Sequence, residues 1–329
     1  MRNAQRANSQ MSLRVSVTDQ CQFNCLYCRP DENDSKCSRS DHLTVGEIMR
    51  FVNFLGRNYG LSKVHITGGE PLLRDDLHEL IGQLAAEKIG DIALTTNGLR
   101  LYEKAEGLKR AGLKRINVSL DSLDPETTRV MTRNGDLSQT LAGIEKALEC
   151  GFDTVKINTV VLRNVNDNEI ADIAGFAMAH NCPVRFLELM PIGISNSLFR
   201  EWYVSSTEVR ERLSGMFELH EIAAKPGGSA RNYIARDSKG GSGQIGFISP
   251  YSAPFCGDCS RLRLTSDGRI IGCLARPDNF EIRHFLSDKN PSGEILLKET
   301  VDSALNKKRS GRALAEKFGT VEKMVRIGG

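Results

Sequence analysis

Three cysteines spaced Cys21-x3-Cys25-x2-Cys28 put three thiols on one short stretch, followed by Arg29-Pro30, where the chain leaves regular structure. Three thiolates on one loop can hold three irons of a [4Fe–4S] cubane and leave the fourth iron without a protein ligand. An open iron is a place for chemistry. S-adenosylmethionine can chelate it through its amino and carboxylate groups, and one electron from the reduced cluster then breaks the sulfonium bond to give a hydrogen-abstracting 5′-deoxyadenosyl radical. The competing use of the spacing is a structural zinc, which wants a fourth ligand and would have to recruit Cys37 or His42.

A second set, Cys256-x2-Cys259-x13-Cys273, again supplies three thiols, enough for a second [4Fe–4S] cluster with one iron open. Structural zinc is the alternative here too, with His284 as fourth ligand, because CxxC with a distant partner is also zinc spacing. Cys37, Cys150 and Cys182 fit neither set and read as ordinary buried or loop cysteines. Between the two sets lie Arg14, Lys63, Lys156 and Arg185, and just past Cys259 come Arg261 and Arg263. On a strand Lys63, His65 and Thr67 share one face, as do Arg261 and Arg263. A lone strand cation is usually salt-bridged or snorkelling, but several converging on one cavity with few acids suggest a polyphosphate. No GxxxxGK[ST] loop occurs, so a nucleotide would be held by side chains instead of a glycine cradle.

The elements that must position these groups follow a strand-then-helix rhythm. Strand patterning falls at residues 13–18, 63–67, 91–95, 115–120, 155–161 and 184–189, and alternating βα units predict a parallel sheet, here a partial (βα)6 TIM-like barrel. Thr44 and Glu47 form a capping box ahead of the first helix, Gly60 stops it, and Gly90, Gly112 and Gly151 close later helices. Thr67-Gly68-Gly69-Glu70-Pro71, Thr95-Thr96-Asn97-Gly98 and Ser119-Leu120-Asp121-Ser122 each follow a strand, at the end where parallel barrels keep their active sites. Bare glycine in the first of these loops would let backbone groups approach the methionine part of the cofactor.

Past residue 215 the rhythm changes. Gly240–Gly246 is glycine-rich, Ile245–Ser249 is apolar, Ser266-Asp267-Gly268 signals a hairpin between Arg261–Thr265 and Arg269–Cys273, and helical patterning returns over 293–308. The expected organisation is a flexible tail at 1–11, a barrel at 12–215 and a C-terminal α+β region at 216–329. A chain of 329 residues with 40% hydrophobic residues can bury such a core. The formal net charge of +3, from 44 Lys+Arg against 41 Asp+Glu, gives no general attraction to nucleic acid or membrane. There is no apolar run of about 18 residues, and MRNAQRANSQ lacks the apolar core of a signal peptide, so a cytoplasmic protein with metal-ligating cysteines is expected.

CxxxCxxC after the first strand and GGEP after the second resemble the radical S-adenosylmethionine superfamily, in which the residue before the third cysteine is aromatic and helps hold adenine; here it is Tyr27. From about Leu13 to Gly329 the chain is similar to one family in particular, the GTP 3′,8-cyclases of molybdenum cofactor biosynthesis. The likeness runs through Arg14-x6-Cys21, TGGEP, TTNG, NVSLDS, Lys156-Ile-Asn-Thr-Val, Arg185-Phe-Leu-Glu-Leu-Met190, Cys256-x2-Cys259-x-Arg261-x-Arg263 and the closing Gly328-Gly329. It implies two [4Fe–4S] clusters and S-adenosylmethionine, with Tyr27, Gly69, Ser119 and Met190 at the cofactor. Arg14, Lys63, Thr96, Lys156, Arg185, Arg261 and Arg263 would surround GTP. His65 would join them where family members commonly carry arginine, so its charge depends on its surroundings. Guanine would reach the open iron held by Cys256, Cys259 and Cys273, and the tail would enter the site beside Arg14, making these the catalytic groups. Hydrogen would leave C3′ of the ribose so that C3′ attacks C8. An external electron donor and, for the product, cyclic pyranopterin monophosphate synthase are the implied partners; monomer and homodimer both stay open.

Two other readings compete. A peptide-modifying radical enzyme can carry auxiliary clusters behind a similar barrel, but generally with more C-terminal cysteines and with no need for Arg261 and Arg263. A non-catalytic zinc-stabilised binding protein leaves Thr67–Pro71 and the cations unexplained.

Overall fold

The computed structural model describes residues 11–30, 41–223, 228–255, 259–276, 278–286, 293–309 and 324. The expectations for the tail at 1–11, apart from its last residue, and for Cys37, Cys256 and Gly328-Gly329 lie outside the described residues; Met11 is not tail but the buried first residue of a strand that pairs with residues 61–67. The first part of the chain is a partial (βα)6 barrel. Its strands are β1 (Met11–Ser16), β2 (Leu61–Thr67), β3 (Asp91–Thr96), β4 (Arg115–Ser119), β5 (Thr154–Val161) and β6 (Val184–Glu188), each pair of neighbours parallel. Around them lie α1 (Val45–Tyr59), α2 (Leu77–Ala86), α3 (Leu101–Arg110), α4 (Pro125–Thr132), α5 (Leu137–Glu149) and α6 (Ile170–Ala179).

Strand alternation divides the molecule into an apolar shell and a polar interior. On β5, Val155, Ile157, Thr159 and Val161 are buried toward the helices, while Lys156, Asn158 and Val160 take the other face. The helices close that shell with apolar stripes: in α1, Ile48, Met49, Phe51, Val52, Phe54 and Leu55 are buried. Its start is the expected capping box, with the Glu47 N–H donating to the Thr44 hydroxyl at 3.2 Å and the Thr44 N–H to the Glu47 carboxylate at 2.8 Å. Gly60 ends it in the left-handed conformation, φ 65°. At the end of α2 the left-handed residue is Lys88, φ 58°, and not Gly90 as the sequence pattern suggests; the chain there turns two residues earlier.

The later chain adds α7 (Asn196–Trp202), α8 (Ser206–Ser214), β7 (Glu218–Ile222), β8 (Arg231–Arg236), β9 (Ser242–Ile248), β10 (Arg261–Leu264), β11 (Arg269–Ile271), β12 (Phe280–Glu281) and α9 (Gly293–Arg309). These strands extend both edges of the barrel sheet, in the order β12-β11-β10-β1-β2-β3-β4-β5-β6-β9-β8-β7. β9 runs parallel to β6, and β10 runs parallel to β1. Since β9 and β10 both point the way the barrel strands point, the end of β9 and the start of β10 lie at opposite ends of the barrel. The expected hairpin is present: β10 and β11 pair antiparallel across Gly268, φ 91°. The glycine-rich stretch is strand β9, where a side chain at Gly246 would come within 2.9 Å of Asn232 Oδ1 and 3.3 Å of the Arg185 side chain.

A single carboxylate anchors the returning segment. Buried Glu188, at the end of β6, accepts from the Ser206 N–H at 2.8 Å, the Tyr251 N–H at 3.1 Å, the Ser252 N–H at 2.9 Å and the Ser252 hydroxyl. It joins the barrel to the start of α8 and to the segment that leads to Cys259. Replacing Glu188 by Ala strands buried donors, so denaturant unfolding of the variant should show a loss of about 2–4 kcal/mol; a loss below about 0.5 kcal/mol, the level of an ordinary surface change, would contradict this role.

Candidate active site

The loop carrying the first three cysteines is stitched down on both sides by backbone hydrogen bonds. Gly69 N–H donates to Thr18 O at 2.6 Å and Glu70 N–H to Gln20 O at 2.7 Å, while Asn24 and Leu26 N–H groups reach Thr132 O and Met131 O at 2.9 Å each. Between Cys25 and Cys28 the chain turns back on itself, with Cys25 O accepting from Cys28 and Arg29 N–H at 3.0 and 2.9 Å. A Cβ on Gly69 would lie 2.3 Å from Gln20 O, and one on Gly68 2.6 Å from Thr18 O. The glycines of the TGGEP loop are therefore required by close packing against the chain that leads into the cysteine loop.

Glu70 locks the next strand to this loop. Its carboxylate accepts from Leu72 N–H at 2.9 Å, Thr96 Oγ1 at 2.7 Å and Asn97 N–H at 2.7 Å, and burial pushes it up to about 7 against those donors. Asn97 Nδ2 in turn lies 4.0 Å from Cys21 Sγ. Thr96, expected at the substrate, is 1% exposed, with its hydroxyl donating to Glu70 and accepting from Gly98 N–H at 3.0 Å. It is Thr95 that shares the interior face with His65 and Asn117.

Tyr27 donates its hydroxyl to Asp121 Oδ2 at 2.7 Å, and Asp121 Oδ1 accepts from Val160 N–H at 2.8 Å. The ring packs on the apolar group of Met131, Leu162, Leu189 and Phe199. Burial, then Cys28, Asp121 and Cys21, push the Cys25 thiol well above its usual range; burial and Glu70 push Cys21 up to about 11. Thiols so close to one another and to carboxyls keep their protons unless positive charge replaces them, and iron supplies that charge. The donor set fits a cationic cluster.

The other end of the barrel holds the two described cysteines of the second set, Cys259 and Cys273. Cys259 precedes β10 and Cys273 follows β11, and since these strands are antiparallel the two cysteines lie at the same end, by the start of β1. Cys21, Cys25 and Cys28 follow the end of β1. Cys259 and Cys273 therefore sit at the end of the barrel opposite Cys21, Cys25 and Cys28, with the polar interior between them.

That interior is positive. In register, Ser12 and Arg14 of β1 face Arg261 and Arg263 of β10 on one side and Lys63 and His65 of β2 on the other. Ser119, Asn158 and Arg185 are aligned across β4, β5 and β6, and Asn117 is aligned with Lys156. Arg115, not singled out from the sequence, belongs to the same face: its Nε and Nη2 donate to Asp91 at 2.7 and 2.5 Å, while Lys63 Nζ stands 3.3 Å from the same carboxylate. The bidentate arginine pair is the stronger, so Lys63 is the cation a competing anion can draw away. Burial and then Arg261 push Arg14 down to about 9; burial, Arg14 and Arg261 push Arg263 well below its ordinary value; burial, Arg115 and Arg261 lower Arg185. Arg261 thus repels most of the set, and Arg263 is the one partly supported by Cys259 and Cys273. Met190 packs against Ile192 and Ile271 together with Leu274 and Met324.

The fold and the three-thiol loop define a radical S-adenosylmethionine enzyme: the model of the Radical SAM superfamily matches residues 15–177, and that of Molybdenum Cofactor Synthesis C matches 182–314. Streptococcus suis SuiB bound to S-adenosylmethionine shares the fold, with a TM-score of 0.65 at 15% identity over 92% of this chain and 68% of its own. The GTP 3′,8-cyclase of Alkaliphilus metalliredigens is 43% identical over 80% of both chains. That of Petrotoga mobilis is 38% identical over 96% of this chain and 97% of its own, and that of Clostridium botulinum strain Langeland is 37% identical over the same shares. The chain belongs to the GTP 3′,8-cyclase family, and with the superfamily come S-adenosylmethionine and an iron–sulfur cluster.

Asp121 gives this site a pH signature. Burial raises its carboxyl from 3.8 to about 6, against the hydrogen bonds from Val160 and Tyr27. A carboxyl raised by folding stabilises while protonated; the contribution is complete below the unfolded value and lost as pH rises through about 6. Asp121→Asn, which cannot ionise, should therefore gain on the iron-free wild type by about 2 kcal/mol between pH 4 and 7.5 in denaturant unfolding. A difference constant across that range would contradict it.

Proposed function

We propose that the protein converts GTP to (8S)-3′,8-cyclo-7,8-dihydroguanosine 5′-triphosphate, an early step of molybdenum cofactor biosynthesis. The observation that carries the reading is the interior of mutually repelling cations, placed between Cys21, Cys25 and Cys28 at one end of the barrel and Cys259 and Cys273 at the other. The charge complement of that interior is a polyanion, and a nucleoside triphosphate presents its charge at one end and its base at the other. The relatives' name, GTP 3′,8-cyclase, supplies the particular nucleotide.

In this reading Cys21, Cys25 and Cys28 hold the first [4Fe–4S] cluster, with Tyr27, Gly69, Ser119 and Met190 around S-adenosylmethionine. Cys256, Cys259 and Cys273 hold a second cluster whose open iron faces guanine. Together the first cluster and S-adenosylmethionine supply the radical that takes hydrogen from C3′. The protein's own part is positioning. Arg14, Lys63, His65, Lys156, Arg185, Arg261 and Arg263 fix the triphosphate, so that the ribose is presented to one end of the barrel and the base to the other. Thr96 supports the site through Glu70. Met324 packs on Ile192 and Ile271. The electron comes from an external donor, the product passes to cyclic pyranopterin monophosphate synthase, and the setting is the cytoplasm.

Anaerobic reconstitution should yield about eight irons per chain, and incubation with GTP, S-adenosylmethionine and a reductant should give the cyclised triphosphate by mass spectrometry. Four irons with one tightly held zinc would overturn the second cluster. Replacing Arg261 and Arg263 by Ala should lower GTP affinity ten- to a hundredfold, roughly one charge-assisted hydrogen bond or more, in calorimetry. A fall in melting temperature with unchanged GTP affinity would assign these arginines to structure.

A further inference from the structure

We propose that Asp121 and Asn166 are positioning residues for the cofactor site, Asn166 fixing Asp121 to β5 and Asp121 fixing the ring of Tyr27 through its hydroxyl. The inference rests on the reading that places Tyr27 at the adenine of S-adenosylmethionine, while the support behind the ring is read from the protein alone. Tyr27 donates its hydroxyl to Asp121 Oδ2 at 2.7 Å, and Asp121 Oδ1 accepts from Val160 N–H at 2.8 Å. Each carboxylate oxygen thus has its own donor. Asp121 is buried, and no cation stands against it among the described residues.

Asn166, which lies in the turn between β5 and α6, is fully buried. Its Nδ2 donates to Asp121 O at 2.6 Å and to Val160 O at 2.9 Å, and its Oδ1 accepts from Leu162 N–H at 2.8 Å. Two amide hydrogens meet two carbonyls and the oxygen meets an N–H, so the side chain fits one way round only. The rest of the loop after β4 is held as firmly: Leu120 O accepts from the Thr159 hydroxyl at 2.7 Å, and buried Glu169 accepts from the Ser122 hydroxyl and from Leu123 N–H at 2.8 Å each. Residues 120–123 are thereby bound to β5 and to the turn into α6, and Tyr27 carries that rigidity across to the cysteine loop.

Packing alone does not call for this pair. A ring set on Met131, Leu162, Leu189 and Phe199 needs no hydroxyl to be buried there, and a carboxylate buried without a cation costs stability. What the phenol–carboxylate bond does supply is direction, because it leaves the ring one orientation before a ligand arrives. Tyr27 stays partly exposed while Asp121 and Asn166 are buried, the division expected of a contact residue and its supports. A base that meets a ring already fixed is spared the loss of side-chain freedom on binding.

The test is calorimetric binding of S-adenosylmethionine to anaerobically reconstituted protein, with iron content and melting temperature measured alongside. Tyr27→Phe keeps the ring and removes only its tether, so it should weaken binding about three- to tenfold, the cost of ordering one side chain on association. Asn166→Ala should weaken it in the same direction. Asp121→Asn, whose amide nitrogen can donate to the Tyr27 oxygen while Oδ1 stays on Val160 N–H, should remain within about twofold of wild type. At saturation S-adenosylmethionine should change the electron paramagnetic resonance signal of the reduced first cluster in Tyr27→Phe as it does in wild type. A fully loaded Tyr27→Phe variant with wild-type affinity overturns the inference, whether or not its melting temperature falls, and a signal that no longer responds to saturating cofactor overturns it by assigning the pair to the cluster instead. A loaded Asn166→Ala variant with wild-type affinity overturns the part given to Asn166; if that variant does not load, Tyr27→Phe still decides. Tyr27→Leu separates the two failures: lost affinity there with none lost in Tyr27→Phe overturns the inference alone, whereas wild-type affinity in Tyr27→Leu overturns the placement of Tyr27 at the cofactor.

Discussion

Like charges held together against their own repulsion are the constraint on which the rest of this structure depends. Arg14, Arg263 and Arg185 all lie below their ordinary values, after burial, because Arg261 or its neighbours stand close. Such a set does not stabilise a fold; it has to be imposed by one. The imposing force is the apolar shell, in which Leu13, Val64, Ile116, Ile157 and Phe186 are essentially sealed from solvent, each such side chain contributing about 1.5–3 kcal/mol on burial. Strand alternation then turns the cations inward as the unavoidable other face of residues that must be buried.

The same sheet decides where the reactive groups stand. A (βα)6 barrel left open has two unpaired edges, and exposed edges invite unwanted pairing. Here β9 covers β6 and β10 covers β1, and because both are parallel to their partners the chain between them has to travel the height of the barrel. That geometry carries Cys259 to the end opposite Cys21, Cys25 and Cys28 and brings Arg261 and Arg263 beside Arg14. Edge protection and site assembly are one topological event, pinned at Glu188 by Ser206, Tyr251 and Ser252.

Local features of this arrangement were legible in the chain because they rest on short-range physics. The six barrel strands fall within a few residues of their expected places, the Thr44–Glu47 capping box is present, and Ser266-Asp267-Gly268 does turn a hairpin. The pairing of β9 and β10 with the two barrel edges was not legible: parallel partners distant in sequence leave no periodicity to read. Arg115 could have been found, since it alternates with Asn117 and Ser119, but an arginine at a strand entrance looks like an ordinary solvated cation. Thr95 and Thr96 are adjacent, and a shift of one residue exchanges the two faces of a strand, which is why the hydroxyl expected in the interior is instead bound to Glu70. Glu188 carries no local signal, because its donors come from three separate segments.

The central claim is that the barrel presents the ribose of GTP to the cofactor end while its cations hold the triphosphate. It is tested most directly with GTP carrying deuterium at C3′, incubated anaerobically with the reconstituted protein, S-adenosylmethionine and a reductant, and with the 5′-deoxyadenosine then analysed by mass spectrometry. We expect 5′-deoxyadenosine to carry one deuterium transferred from the substrate. 5′-Deoxyadenosine that forms without deuterium while the GTP is consumed would contradict it.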